Sequence, residues 1–140
     1  MSSHSLTIIV DLDIHALAQY RENIVGEENC VFIGRDLSGY LITQDRANAS
    51  QIIYKWLDDT LRAHAPGPVL CTDIDILFYP DFHLDPLALF RQISRYTNLI
   101  VLWPGGYKDG VLSYAQPEHQ HYRFWKSLDG IEIKGVNDAL

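Results

Sequence analysis

The chain is short of cysteine, of cations and of long apolar runs, and each shortage excludes something. Its two cysteines, Cys30 and Cys71, sit inside apolar stretches of a 140-residue chain. A thiol so placed reads as a small buried hydrophobe rather than half of a disulfide or a zinc ligand, which argues against a disulfide-stapled secreted scaffold and for a reducing, cytoplasmic setting. No apolar stretch approaches the roughly 20 residues that span a bilayer. The opening Met-Ser-Ser-His places no basic segment before residues 6–10, so neither a membrane span nor a signal peptide is expected. Eleven Lys and Arg against eighteen Asp and Glu leave a net charge of −7. The deficit is uneven, because residues 1–90 hold 5 basic and 13 acidic side chains while residues 91–140 hold 6 and 5. Nonspecific nucleic-acid binding works through clustered cations that release counterions. Arg91, Arg95, Lys108, Arg123, Lys126 and Lys134 are instead spaced like a solvated face, so direct nucleic-acid binding is not expected.

What is present is an ordinary globular composition, 47% hydrophobic and 21% charged, on a length that suits one domain and buries roughly two thirds of its unfolded surface. Residues 6–10 (Leu-Thr-Ile-Ile-Val) form a compact β-branched run that ends at Asp11-Leu12-Asp13 and reads as a buried strand. A helix should follow, with Leu17, Tyr20 and Ile24 on one face and Gly26 near its end. Residues 30–33 are a second apolar run, stopped by Gly34. Ile52, Ile53, Trp56, Leu57 and Leu61 recur at helical spacing, with Asp58, Asp59 and Arg62 opposite. Pro66-Gly67-Pro68 breaks that helix, and residues 69–78 read as a strand interrupted by two carboxylates. Asp85-Pro86 is a helix start, with Asp as N-cap and Pro at N1, ahead of Leu87, Phe90, Ile93 and Tyr96 as the core side. Residues 99–103 form the most strand-like run, cut by Pro104-Gly105-Gly106. Asp109-Gly110 between two short strands signals a hairpin, and a last strand fits residues 131–133. Strands alternating with helices predict an α/β fold: a single domain with a mostly parallel sheet, helices on both faces and a small C-terminal hairpin.

Four groups of residues could carry chemistry. Asp11 and Asp13 stand directly after a buried strand, where open α/β sheets place their ligand crevice; they read first as ordinary strand-end carboxylates, or else as a magnesium or phosphoryl-transfer pair. Residues 69–75 (Val-Leu-Cys-Thr-Asp-Ile-Asp) run as an apolar strand into Asp73 and Asp75, in the manner of a Walker B strand. Its partner, a glycine loop ending in Lys and Ser or Thr, has one match in spacing, from Gly34 to Gly39. There Tyr40 and Leu41 occupy the Lys and hydroxyl positions, and Asp36 adds a negative charge where phosphate would bind. Glu118-His119-Gln120-His121 offers two alternating histidines, with His64 and His83 elsewhere, short of a zinc site. Finally Trp103, Tyr107, Tyr114, Tyr122, Phe124 and Trp125 cluster around Pro and Gly turns, a density that suits either a core or a protein interface.

Residues 69–123 resemble the BrxF family of small P-loop proteins, which accompany PglZ in type III BREX phage-defence systems. The residues that carry the resemblance are Ile74-Asp75-Ile76-Leu77-Phe78, Asp85-Pro86-Leu87, Arg91-Gln92-Ile93-Ser94-Arg95, Val101-Leu102-Trp103-Pro104-Gly105, and Leu112-Ser113-Tyr114-Ala115-Gln116-Pro117-Glu118-His119 with Tyr122-Arg123. The family carries a glycine-rich phosphate loop between its first strand and helix. Here that junction, Asp11-Leu12-Asp13-Ile14-His15, has no glycine and no lysine, and the Walker B aspartate aligns with Thr72. The resemblance therefore implies a P-loop-NTPase-like fold without its catalytic apparatus. The expectation that follows is a non-enzymatic adaptor with no cofactor, binding other proteins of a defence assembly through Trp103, Tyr107, Tyr114, Tyr122 and Trp125. The enzymatic alternative is a magnesium-dependent phosphohydrolase or phosphotransfer site at Asp11, Asp13, Asp73 and Asp75, which converge if the strands bearing them are neighbours. A third reading keeps nucleotide binding without hydrolysis.

Overall fold

A strand with apolar side chains on both faces is stable only where helices cover both sides of its sheet. Residues 6–10 meet that condition: in the computed structural model, which describes residues 5–24, 29–44, 46–115 and 120–137, they belong to a central strand, β1 (Leu6–Asp11). The chain continues through α1 (Ile14–Ile24), β2 (Cys30–Phe32), α2 (Ile33–Leu41), α3 (Ala49–Arg62), β3 (Val69–Thr72), α4 (Pro86–Ile93), β4 (Leu99–Lys108), β5 (Val111–Tyr114), β6 (Arg123–Trp125) and β7 (Ile131–Gly135). Two 3-10 turns, Asp75–Phe78 and Pro80–Phe82, lie between β3 and α4. Strands β2, β3, β4, β1 and β7 form a parallel sheet in that order, with β4 between β3 and β1. Among the described residues no helix is long and apolar enough to cross a membrane.

Period-2 alternation assigns the two faces. Ile8, Val10, Val69, Cys71, Val101 and Trp103 belong to the larger core with α2, α3 and α4. Ile9, Leu70 and Leu102 meet Leu17 and Tyr20 of α1, with Val136 after β7 closing that smaller core. Both cysteines are free, Cys71 buried and Cys30 half-buried, and burial pushes the Cys71 thiol up so that it stays protonated.

Several expectations change in detail. Residues 69–78 are not one strand: β3 stops at Thr72 and the chain turns into 3-10 conformation. Gly34 does not end the second apolar run in a loop, because α2 continues straight through Gly34 and Gly39, burying Ile33, Leu37 and Leu41 at i, i+4 spacing. Tyr96 faces solvent, with the Arg62 guanidinium 4.0 Å over its ring. Nor do Pro104 and the two glycines cut β4. Its first part pairs with β1 as far as Asp11↔Pro104, and its second part leaves for an antiparallel ribbon with β5, starting at Gly105↔Tyr114. That switch needs glycine at 105, since a Cβ there would lie 1.8 Å from the Ser113 carbonyl oxygen, which the Trp103 indole N–H also holds at 2.9 Å. The hairpin turn has positive φ at both Asp109 (53°) and Gly110 (76°), the geometry that suits a two-residue turn. β6 adds a third strand that the sequence did not announce.

Two glycines then give opposite outcomes. Gly39 sits in the interior of α2 with open space where a Cβ would go, so Gly39→Ala should stabilise by about 0.5–1 kcal/mol. Gly105→Ala should destabilise by about 1–3 kcal/mol through overpacking. Urea unfolding of both variants checks the pair; a stable Gly105→Ala would contradict the sheet switch.

Candidate functional site

The carboxyl ends of β1 and β4 mark the place where the sheet changes direction, because β1 feeds α1 on one face while β4 leads to the ribbon on the other. Ligands of open α/β sheets settle in such a crevice. In this chain only Leu12 and Asp13 separate β1 from α1. Asp11 accepts a hydrogen bond from the Asp13 amide through Oδ1 at 2.8 Å, and Asp13 accepts one from the His15 amide through its own Oδ1, also at 2.8 Å. The second bond is an N-cap on α1. Two amides at this junction, those of Asp13 and His15, are thus held by carboxylates of the same loop.

Asp73 does a similar job for α2 from a distance. Phe32, at the N-cap position of α2, offers no side-chain acceptor. Asp73 adopts the left-handed conformation (φ 58°), which Asp tolerates better than most residues. It takes the Gly34 amide on its carbonyl at 2.7 Å and the Arg35 amide on Oδ2 at 2.8 Å. A Cβ on residue 34 would stand 2.7 Å from that same Oδ2. Gly34 thus serves close approach of Asp73, and the Gly34–Gly39 spacing belongs to a helix rather than to a phosphate loop.

Asp75 opens the first 3-10 turn and accepts from the Tyr114 hydroxyl at 2.6 Å. Burial, reinforced by the bond to Asp75, pushes the Tyr114 phenol well above its usual range. The end of β1, which carries Asp11 and leads to Asp13, and the end of β3, which leads to Asp73 and Asp75, are separated by β4, roughly 10 Å of sheet. Among the described residues no group of three or more His, Cys, Asp or Glu is placed to hold a metal ion. Between α1 and the ends of β2, β3 and β4 lies a cavity of about 310 Å³, apolar at Leu17, Phe32, Leu102 and Pro104 and polar at Arg21, Thr72, Asp73 and Asp75. The guanidiniums of Arg21 and Arg35 lie 5.0 and 4.6 Å from the Phe32 ring centre.

The aromatic group divides between core and surface. Trp103 is 0% exposed and Tyr114 is buried, so neither belongs to an interface, contrary to the sequence expectation. Both surround Phe78, which stacks on Tyr114 at 3.8 Å between ring centres and meets Trp103 edge-on at 5.1 Å. Trp125 closes this cluster half-buried, edge-on to Trp103 at 5.3 Å, with its indole N–H on Asp85 at 3.1 Å. Tyr122 is half-buried too, whereas Tyr107 is 48% exposed. Composition could not make this division, because Trp and Tyr serve cores and interfaces equally.

Of the histidine group, Glu118 and His119 lie outside the described residues. His121 stands edge-on to Tyr79 at 5.5 Å, across a groove of about 510 Å³ that also touches His83 and Arg123. The later cations are dispersed: Arg91 donates to the Ser127 carbonyl, Arg123 to the Leu84 carbonyl, and Lys134 pairs with Glu132 on the β7 edge. No group singled out from the sequence includes Ile42 or Tyr79, which the structure exposes. The signal for Ile42 was available in the 33, 37, 41 stripe of α2, which turns its neighbour outward.

The Tyr114–Asp75 pair sets a pH dependence. The native state keeps the phenol protonated at a pH where the unfolded chain, with tyrosine near 10, releases it, so stability is full below about pH 10 and falls above it. Urea unfolding at about pH 9 and about pH 11 should show a loss that is smaller in Tyr114→Phe; equal losses would contradict the pairing. Comparison of the chain with protein-family models, curated proteins and solved structures finds no match.

Proposed function

We propose that the chain is a non-enzymatic accessory protein with a P-loop-like α/β fold that works by binding other proteins. One observation carries this reading: the junction after β1, where a P-loop would cradle phosphate, is two residues long, and the Asp13 and His15 amides are held by Asp11 and Asp13. A phosphate there would meet two fixed negative charges instead of open N–H groups. The P-loop comparison draws support from the strand order, in which β4 is inserted between the strand that would precede a phosphate loop and the strand that would end in a Walker B carboxylate. It departs from both common doubly wound orders. The resemblance of residues 69–123 to BrxF makes other components of a phage-defence system the partners we propose.

Calorimetric titration of the chain with ATP and ADP, each with and without magnesium, tests the reading. No saturable heat up to millimolar nucleotide is expected. Binding at micromolar levels, about −8 kcal/mol, would overturn the adaptor reading and restore a nucleotide switch or enzyme.

A further inference from the structure

Ala88, Arg91, Gln92 and Arg95 recur at i, i+3, i+4 and i+7, so they share one side of α4 and of the turn that closes it. Together with Trp125 of β6 and Ser127 they line a cavity of about 300 Å³. Both of its arginines are short of acceptors. Arg91 donates through Nη2 to the Ser127 carbonyl at 2.7 Å, but its Nε is buried and meets no acceptor. A buried donor left in this way points to a group that the chain does not itself supply. Arg95 is exposed, and its side chain makes no hydrogen bond, ion pair or ring contact among the described residues. Arg21, Arg35 and Arg62, in contrast, each lie 2.9 to 3.7 Å from a carboxylate of their own helix. Neither α4 nor residues 123–127 carry a carboxylate. The one acid in the lining, Asp85, caps the far end of α4, where its Oδ1 already holds the Ala88 amide and the Trp125 indole. Two arginines against one aspartate leave the lining with a single net positive charge.

We propose that this cavity takes a glutamate carboxylate from an acidic segment of a partner protein, held by Arg91 and Arg95, with a neighbouring aliphatic side chain of that segment against Trp125 and Ala88. Guanidinium and carboxylate match as planar two-bond forks, and the bond is stronger than one between neutral groups. One carboxylate also balances the single net charge of the lining, which a phosphate dianion would exceed. The inference rests on the adaptor reading and gives it a surface, one that keeps Trp125 of the expected interface and replaces Trp103 and Tyr114.

The test follows the arginine Nε–H signals of the whole chain by NMR during titration with the blocked peptide acetyl-Leu-Glu-Leu-amide. The Arg91 and Arg95 signals should move together and saturate at about millimolar peptide, while those of Arg62 and Arg123 stay in place. Acetyl-Leu-Gln-Leu-amide, which lacks only the charge, should bind at least about tenfold more weakly. Arg95→Gln, at an exposed side chain without a partner, should keep the fold and weaken binding at least about fivefold. Lys134→Gln makes the same change in net charge on the β7 edge and should bind as the parent does. Equal binding by Arg95→Gln and the parent, equal binding of the two peptides, or equal shifts at every arginine would overturn the site. Inorganic phosphate that moves the same two signals at lower concentration than the glutamate peptide would also overturn it, making a phosphate the ligand. The nucleotide titration separates the two levels: a silent titration with failed peptide binding removes only this site, whereas saturable nucleotide binding removes the adaptor reading itself.

Discussion

A helix that follows a parallel strand arrives with unsatisfied N–H groups and a partial positive charge, and something anionic has to meet them. In this chain the protein's own carboxylates do so at three of the four helices. Asp13 caps α1, Asp85 caps α4 through the Ala88 amide, and Asp73 reaches α2 from the end of β3. Much of the structure follows from that. The bond from Asp73 fixes where α2 starts and requires glycine at position 34. Asp85 also takes the Trp125 indole, tying β6 to α4 and closing the aromatic cluster around Phe78. At each of these three helix ends a carboxylate of the chain accepts one of the free amides.

What could be read from the sequence was local. The apolar runs of β1, β2 and β4, the stripe of Ile53, Leu57 and Leu61, the Asp85-Pro86 start and the Asp109-Gly110 turn all announce themselves within a few residues. What could not be read depends on partners far along the chain. Gly34 resembled loop punctuation because its reason, Asp73, is 38 residues from the Arg35 amide that Asp73 also binds. Pro104 resembled a strand end, yet a strand continues through it where its carbonyl takes the Ala115 amide and the pairing passes to β5. Trp103 and Tyr114, beside turns, suited a core or an interface equally, and their packing around Phe78, edge-on for Trp103 and stacked for Tyr114, places them inside.

The candidate site follows the same division. Four aspartates after two buried strands were visible at once, and so was the chance that they share a cation. Their separation was not, since it depends on β4 lying between β1 and β3. Each carboxylate instead meets a single local demand, an amide or a phenol. On the surface, Ile42 and Tyr79 leave apolar area exposed beside Phe82 and Asp81.

The most direct measurement of the central claim is amide hydrogen exchange at Asp13, His15 and Arg35, followed by NMR in the parent chain and in Asp13→Ala and Asp73→Ala, with and without Mg-ATP. If carboxylates occupy these helix ends, exchange at His15 quickens in Asp13→Ala, exchange at Arg35 quickens in Asp73→Ala, and Mg-ATP changes nothing in the parent. Amides that exchange freely in the parent and become protected only when Mg-ATP is added would contradict the account, because the helix ends would then be open to phosphate after all.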